Sequence, residues 1–83
     1  MDVNEIIKQV NEVFREVFDD ETLVIDHNTT ANDIAEWDSL THIELVVAVE
    51  KHFNIRFTSS EIQNFKNVGD MSSTILTKMN KQN

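Results

Sequence analysis

Five consecutive residues, Glu36-Trp37-Asp38-Ser39-Leu40, place a hydroxyl beside a carboxylate where the pattern predicts a helix to begin. A serine there has a physical use. A helix N-terminus stabilises negative charge through its unpaired N–H groups and its dipole, so it is a favourable place to carry a phosphodiester. Plain helix capping is the competing use, since Asp and Ser are both common at helix starts. His42 completes a nominal Ser-His-Asp set, because residues three apart on a helix are neighbours. The geometry argues against hydrolysis: such a site needs the carboxylate on the far side of the imidazole and separate oxyanion donors. Here all three groups crowd one helix start, with no Gly-rich elbow. His27, His42 and His52 are isolated from one another, the last two being about 80° apart around a helix and nearly three turns along it. They cannot share a metal, and no ligand set with metal spacing occurs. Asp19, Asp20 and Glu21 lack the alternating acids and turn glycine of a calcium loop. The chain contains no cysteine, so any thiol chemistry must be imported.

The elements that position Asp38 and Ser39 follow from composition and periodicity. Proline is absent and Gly69 is the only glycine, which disfavours tight hairpins and permits long helices. Val3, Ile6, Ile7, Val10, Val13, Phe14, Val17 and Phe18 recur at three- and four-residue steps and predict helix one from Val3 to Phe18. Asp2 and Glu5 stand at capping-box spacing before it. A loop rich in Asn, Asp and Thr follows to Asp38, with Leu23, Val24, Ile25, Ile34 and Trp37 as anchors and a short helical turn expected near Thr30 to Ile34. Helix two runs from Ser39 to Phe53 with Asp38 as N-cap, and its apolar arc is unusually wide. Such a helix is either central to the core or lines something apolar that is not protein. Thr58 with Glu61 marks a short helix three, Ser59 to Phe65, and Asn67 with Asp70 opens helix four, whose inward face is Val68, Met71, Ile75, Leu76 and Met79. The expectation is all-α: a four-helix bundle with a long first loop and a short third helix, one domain over 1–83.

With 83 residues there is room for one modest core. The 40% hydrophobic and 27% charged fractions are those of a globular protein, and no apolar run is long enough to span a membrane. Met1 is followed by Asp2, Asn4 and Glu5, which is not a secretory signal, so the expected compartment is the cytoplasm. A formal charge of −8 disfavours nucleic acid and anionic membranes as partners and favours basic protein surfaces.

Over nearly its whole length the sequence resembles the acyl carrier proteins. Asp38-Ser39-Leu40 matches the family's attachment motif, and Ile43, Glu44, Leu45, Val46, Val49, Glu50 and Phe53 follow at the spacing of its second helix. Ile55, Glu61, Val68 and Ile75 continue the register. The resemblance implies a four-helix bundle, in agreement with the segmentation above. It implies a non-catalytic carrier whose Ser39 receives 4′-phosphopantetheine from coenzyme A, through a phosphopantetheinyl transferase with its own Mg²⁺, with Asp38 as cap and motif residue. It further implies an acyl pocket formed by Ile43, Leu45, Val46, Val49 and Phe53 with Ile62 and Phe65 opposite. Leu40, Glu44 and Val47 are the implied docking face for acyl-loading and acyl-processing enzymes with basic patches. The carrier itself is expected to be a monomer. Thr41, Lys51, His52 and Arg56 replace carboxylates common in general fatty-acid carriers, which favours a dedicated fatty-acid or polyketide-type pathway. An aminoacyl or peptidyl carrier is the second reading, and an acidic interaction module that is never modified is the alternative outside the family.

Overall fold

Helix α1, Val3–Val17, forms because its apolar residues return every third or fourth position and bury Ile6, Val10, Val13 and Phe14 along one stripe. The Asp2 side chain accepts from Glu5 N at 2.9 Å and closes the first turn. A computed structural model describes residues 2–81 of the chain. The helix stops one residue before the predicted Phe18, because Asp19 takes a left-handed conformation at φ 52°. Asp20 N then donates to Arg15 O at 3.0 Å and Asp19 N to Glu16 O at 3.3 Å, the pair of bonds of a Schellman ending. Asn54 plays the same part after α2, Ser39–Phe53, at φ 57° with Ile55 N donating to Glu50 O at 3.0 Å. Asp and Asn are among the few non-glycine residues that tolerate this conformation, and so the chain stops these helices without glycine.

Helix α3 is shorter than predicted, Ser59–Gln63, and Phe65 lies beyond its end. Thr58 and Glu61 form the expected capping box, with Glu61 N to Thr58 Oγ1 at 3.1 Å and Thr58 N to Glu61 Oε1 at 2.8 Å. No α3 residue is fully buried. Glu61 pairs with Lys78 at 2.9 Å, and the Phe57 and Phe65 rings meet edge to face at 5.1 Å. Helix α4, Val68–Lys81, buries Val68, Met71 and Ile75. Helices α1, α2 and α4 contribute to one core, in which Leu45, Val49 and Phe53 from α2 share a cluster with Phe14 of α1 and Ile75 of α4, and α1 packs against both other helices. Among the described residues no helix is long and apolar enough to cross a membrane.

The long loop between α1 and α2 is held by its own backbone. Asn11 Oδ1 accepts from Ile25 N at 2.8 Å, Arg15 Nε donates to Leu23 O at 2.7 Å, and Ile25, Ile34 and Trp37 are buried. Val24, predicted to be an anchor, is 76% exposed. The expected helical turn near Thr30 is instead two successive turns, closed by Asp33 N to Thr30 O and Trp37 N to Ile34 O, each at 3.0 Å. The start of α4 completes the clasp: Val68 N donates to Thr29 O and Gly69 N to His27 O, both at 2.9 Å. Gly69 is needed for room, because a Cβ there would lie 2.9 Å from His27 O. Gly69→Ala is therefore expected to destabilise the fold by about 1–2 kcal/mol, the strain of overpacking exceeding the propensity gain. A lowered urea midpoint checks this.

Candidate functional site

The start of α2 is a closed capping box with Thr41 in the position usually held by Glu. Asp38 Oδ1 accepts from Leu40 N at 2.9 Å and from Thr41 N at 3.0 Å, while Asp38 N donates to Thr41 Oγ1 at 2.8 Å. The Thr41 hydroxyl in turn donates to Glu36 O at 2.7 Å and pins the loop end to the helix. The Thr41 N–H, followed by the Leu40 N–H and the Thr41 hydroxyl, holds the Asp38 carboxyl below its ordinary value of 3.8. A carboxylate with a depressed pKa stabilises the fold above that ordinary value and loses its contribution as pH falls through the lower, folded one. Asp38→Ala is thus expected to lower the melting temperature by several degrees near neutral pH. The gap from the wild type should narrow in acid; a gap that persists unchanged below pH 3.8 contradicts the assignment.

Ser39 is exposed at the first position of α2, and its hydroxyl bonds to none of the described residues. The helix start offers less to an anion than sequence suggests, because Asp38 takes the Leu40 and Thr41 N–H groups and Thr41 takes that of Asp38. Only Ser39's own N–H is left to an incoming group, together with the helix dipole. An exposed hydroxyl with a free N–H on the same residue fits a phosphodiester on Ser39.

Beside Ser39 opens a cleft of about 470 Å³, lined by Trp37, Ser39, His42 and Ile43 and, across it, by Ile62 and Phe65. Of the seven residues predicted to form a pocket, Ile43, Ile62 and Phe65 line this cleft. Leu45, Val46, Val49 and Phe53 do not. Leu45 and Val49 are fully buried and Val46 and Phe53 nearly so, among the helices. The apolar arc of α2 is wide enough to serve both the core and the surface: Leu45, Val49 and Phe53 join the core cluster with α1 residues, and Val46 is buried as well.

Two cleft residues were not foreseen as site residues. Trp37 Nε1 donates to His42 Nδ1 at 3.0 Å, and His42 Nε2 lies 3.3 Å from Ile62 O. Indole N–H can only donate, so Nδ1 accepts and the neutral ring carries its proton on Nε2, facing the Ile62 carbonyl. The Trp37 and His42 rings stack at 6.0 Å and 19°, and Phe65 meets His42 edge to face at 6.4 Å. The available signal was the lone imidazole at the head of an apolar stripe, one turn after Ser39. His27 is exposed and His52 pairs with Gln9 Oε1 at 2.9 Å, so the three histidines serve separate places.

On the outer face of α2, Leu40 is 71%, Ile43 53% and Val47 42% exposed, with exposed Glu44 among them. Leu40, Glu44 and Val47 share one side at three- and four-residue spacing. Glu50, further along the helix, is engaged within the chain: its carboxylate accepts from Phe57 N at 2.8 Å. Val47 borders Lys51 and Arg56, so the charge on this face changes sign along the helix.

A four-helix chain that presents an exposed serine at the head of its second helix, beside an apolar cleft, has the architecture of a small carrier. The phosphopantetheine attachment site family matches residues 37–75. The acyl carrier protein of Acidothermus cellulolyticus is 35% identical over 66 residues, 80% of this chain and 79% of that protein. That of Cyanidium caldarium is 33% identical over 81 residues, 94% and 91% of the two chains. The solution structure of holo acyl carrier protein from Geobacter metallireducens matches with a TM-score of 0.86 at 41% identity, over 92% of this chain and 87% of that one. The chain belongs to the acyl carrier protein family. It is a carrier and not an enzyme, and its prosthetic group is covalent 4′-phosphopantetheine.

Proposed function

We propose that Ser39 is the attachment residue and that the chain, as one carrier domain over 1–83, presents acyl groups to partner enzymes in a dedicated fatty-acid or polyketide-type pathway. The observation that carries this is the exposed Ser39 hydroxyl, bonded to no described residue, at the head of α2 and on the rim of the cleft. When bound, the arm supplies the thiol that the cysteine-free chain lacks, for thioester chemistry. The chain's part is positional. Asp38 fixes the first turn of α2, so the Ser39 hydroxyl stands at a defined place with its own N–H free for the phosphodiester. Ile43, Ile62 and Phe65 offer apolar surface next to it, while Leu45, Val49 and Phe53 hold the helix in the core cluster.

Leu40, Glu44 and Val47 form the docking face for the phosphopantetheinyl transferase and for acyl-loading and acyl-processing enzymes. Their basic patches meet a carrier of charge −8 that works as a cytoplasmic monomer. The test is intact mass after incubation with coenzyme A, Mg²⁺ and a broad-specificity transferase. A gain of one phosphopantetheine is expected; no gain by the folded protein overturns the reading.

A further inference from the structure

His42 is held by both ring nitrogens to two different parts of the chain: to Trp37 at the end of the long loop, and to the last turn of α3 through Ile62 O. The Ile62 carbonyl is one that a helix end leaves without an intrahelical partner. One ring therefore ties the loop, α2 and α3 together in the wall of the cleft. At three- and four-residue steps along α2, His42 is followed by Leu45, Val46, Val49 and Phe53. It is the polar head of an otherwise apolar stripe, and the four residues behind it are packed into the bundle. The cleft lining includes His42 and none of those four.

Resting on the reading that Ser39 carries the arm, we infer that His42 determines cargo length. Its bridge between Trp37 and Ile62 closes the path from the cleft into the bundle, so the carrier shelters a short acyl group and leaves a long one outside. A chain that entered further would have to displace the ring. That would break both hydrogen bonds and strand the Trp37 N–H, whose side chain is only 7% exposed, without an acceptor. It would also part the Trp37 stack and the Phe65 edge contact. Burial of an alkyl chain is rewarded in proportion to its length, and this reward is open to a long chain only if the ring moves. A short chain resting on Ile43, Ile62 and Phe65 leaves the bridge intact.

The test loads Ser39 from butyryl-, octanoyl- and dodecanoyl-coenzyme A with a promiscuous transferase, confirms each form by intact mass, and compares melting temperatures. Trp37, the only tryptophan, reports the bridge by its emission. In the wild type the melting temperatures are expected to agree within about 2 °C across the series, with emission unchanged. In His42→Ala the dodecanoyl form is expected to melt at least about 4 °C above the butyryl form, with shifted emission. His42→Gln, which can accept from Trp37 and donate to Ile62, is expected to restore the flat series. A wild-type melting temperature that climbs with chain length overturns the inference, even if His42→Ala does not fold. A flat series in folded His42→Ala overturns it as well. Absence of any mass gain overturns the attachment reading and the inference together.

Discussion

Ser39→Ala is expected to abolish the gain of phosphopantetheine altogether while leaving the melting temperature near that of the wild type. The two halves of this expectation come from the same geometry. The hydroxyl accepts from and donates to none of the described residues, so removing it costs no internal bond. Asp38, not Ser39, caps the helix, and alanine is the better helix former at the first helical position. The stability change should lie within about 0.5 kcal/mol, the usual range for such surface substitutions. The loss of loading is all or none, because no second hydroxyl stands beside it with the same freedom: that of Thr41 is already bonded to Glu36 O. Ser59 provides the control. It is likewise exposed, directly after an N-cap at the head of α3, yet it does not line the cleft. Ser59→Ala should therefore load as the wild type does. Loading of Ser39→Ala, read by intact mass, would place the attachment elsewhere.

Much of the frame was legible because it is written locally. Asp2 with Glu5, Asp38, Thr58 with Glu61, and Asn67 with Asp70 all act as the caps their spacing predicts. Periodicity located α1 and α4 to within a residue or so, since each has a single apolar stripe. Periodicity does not divide the apolar residues of α2 between core and surface. An arc that wide contains both Leu45, fully buried, and Leu40, 71% exposed, and no local rule says which side meets α1. The family resemblance, not periodicity, names Leu45, Val46, Val49 and Phe53 as pocket residues, and in this structure all four are buried. The spacing of Phe65 from Ile62 suits a helix and predicts Phe65 inside α3. The chain leaves the helix at Gln63 instead, with Asn64 N shared between Ser60 O and Glu61 O. The bridge through His42 was not legible, since it joins residues whose proximity depends on where the long loop ends. That end is fixed by contacts distant in sequence: the hydrogen bonds of Asn11 and Arg15 to the loop, those of Val68 and Gly69 to its middle, and the burial of Ile34 and Trp37.

Trp37→Ala is expected to cost about 3–5 kcal/mol, which for a protein of ordinary stability, about 5–15 kcal/mol, removes a large share of what holds the fold. Trp37 belongs to the core and to the cleft at once. Its ring meets Phe14 edge to face at 5.2 Å, and Phe14 is fully buried on α1. Its other side stacks on His42 and lines the cleft beside Ser39. Truncation would leave a void between α1 and the loop end and would deprive His42 Nδ1 of its donor. Trp37→Phe separates the two effects: it keeps much of the aromatic packing and loses the N–H, so about 1 kcal/mol is expected. Urea unfolding followed by circular dichroism measures both, since each substitution removes the only tryptophan fluorophore. A cost for Trp37→Ala no greater than that for Trp37→Phe would show that the indole contributes through its hydrogen bond alone. The loop end would then not be anchored by packing, and the site would owe its position to the α2 cap. The larger cost expected for alanine instead makes the wall of the cleft a continuation of the hydrophobic core, which is how the long loop between α1 and α2 can deliver Ser39 to a fixed place.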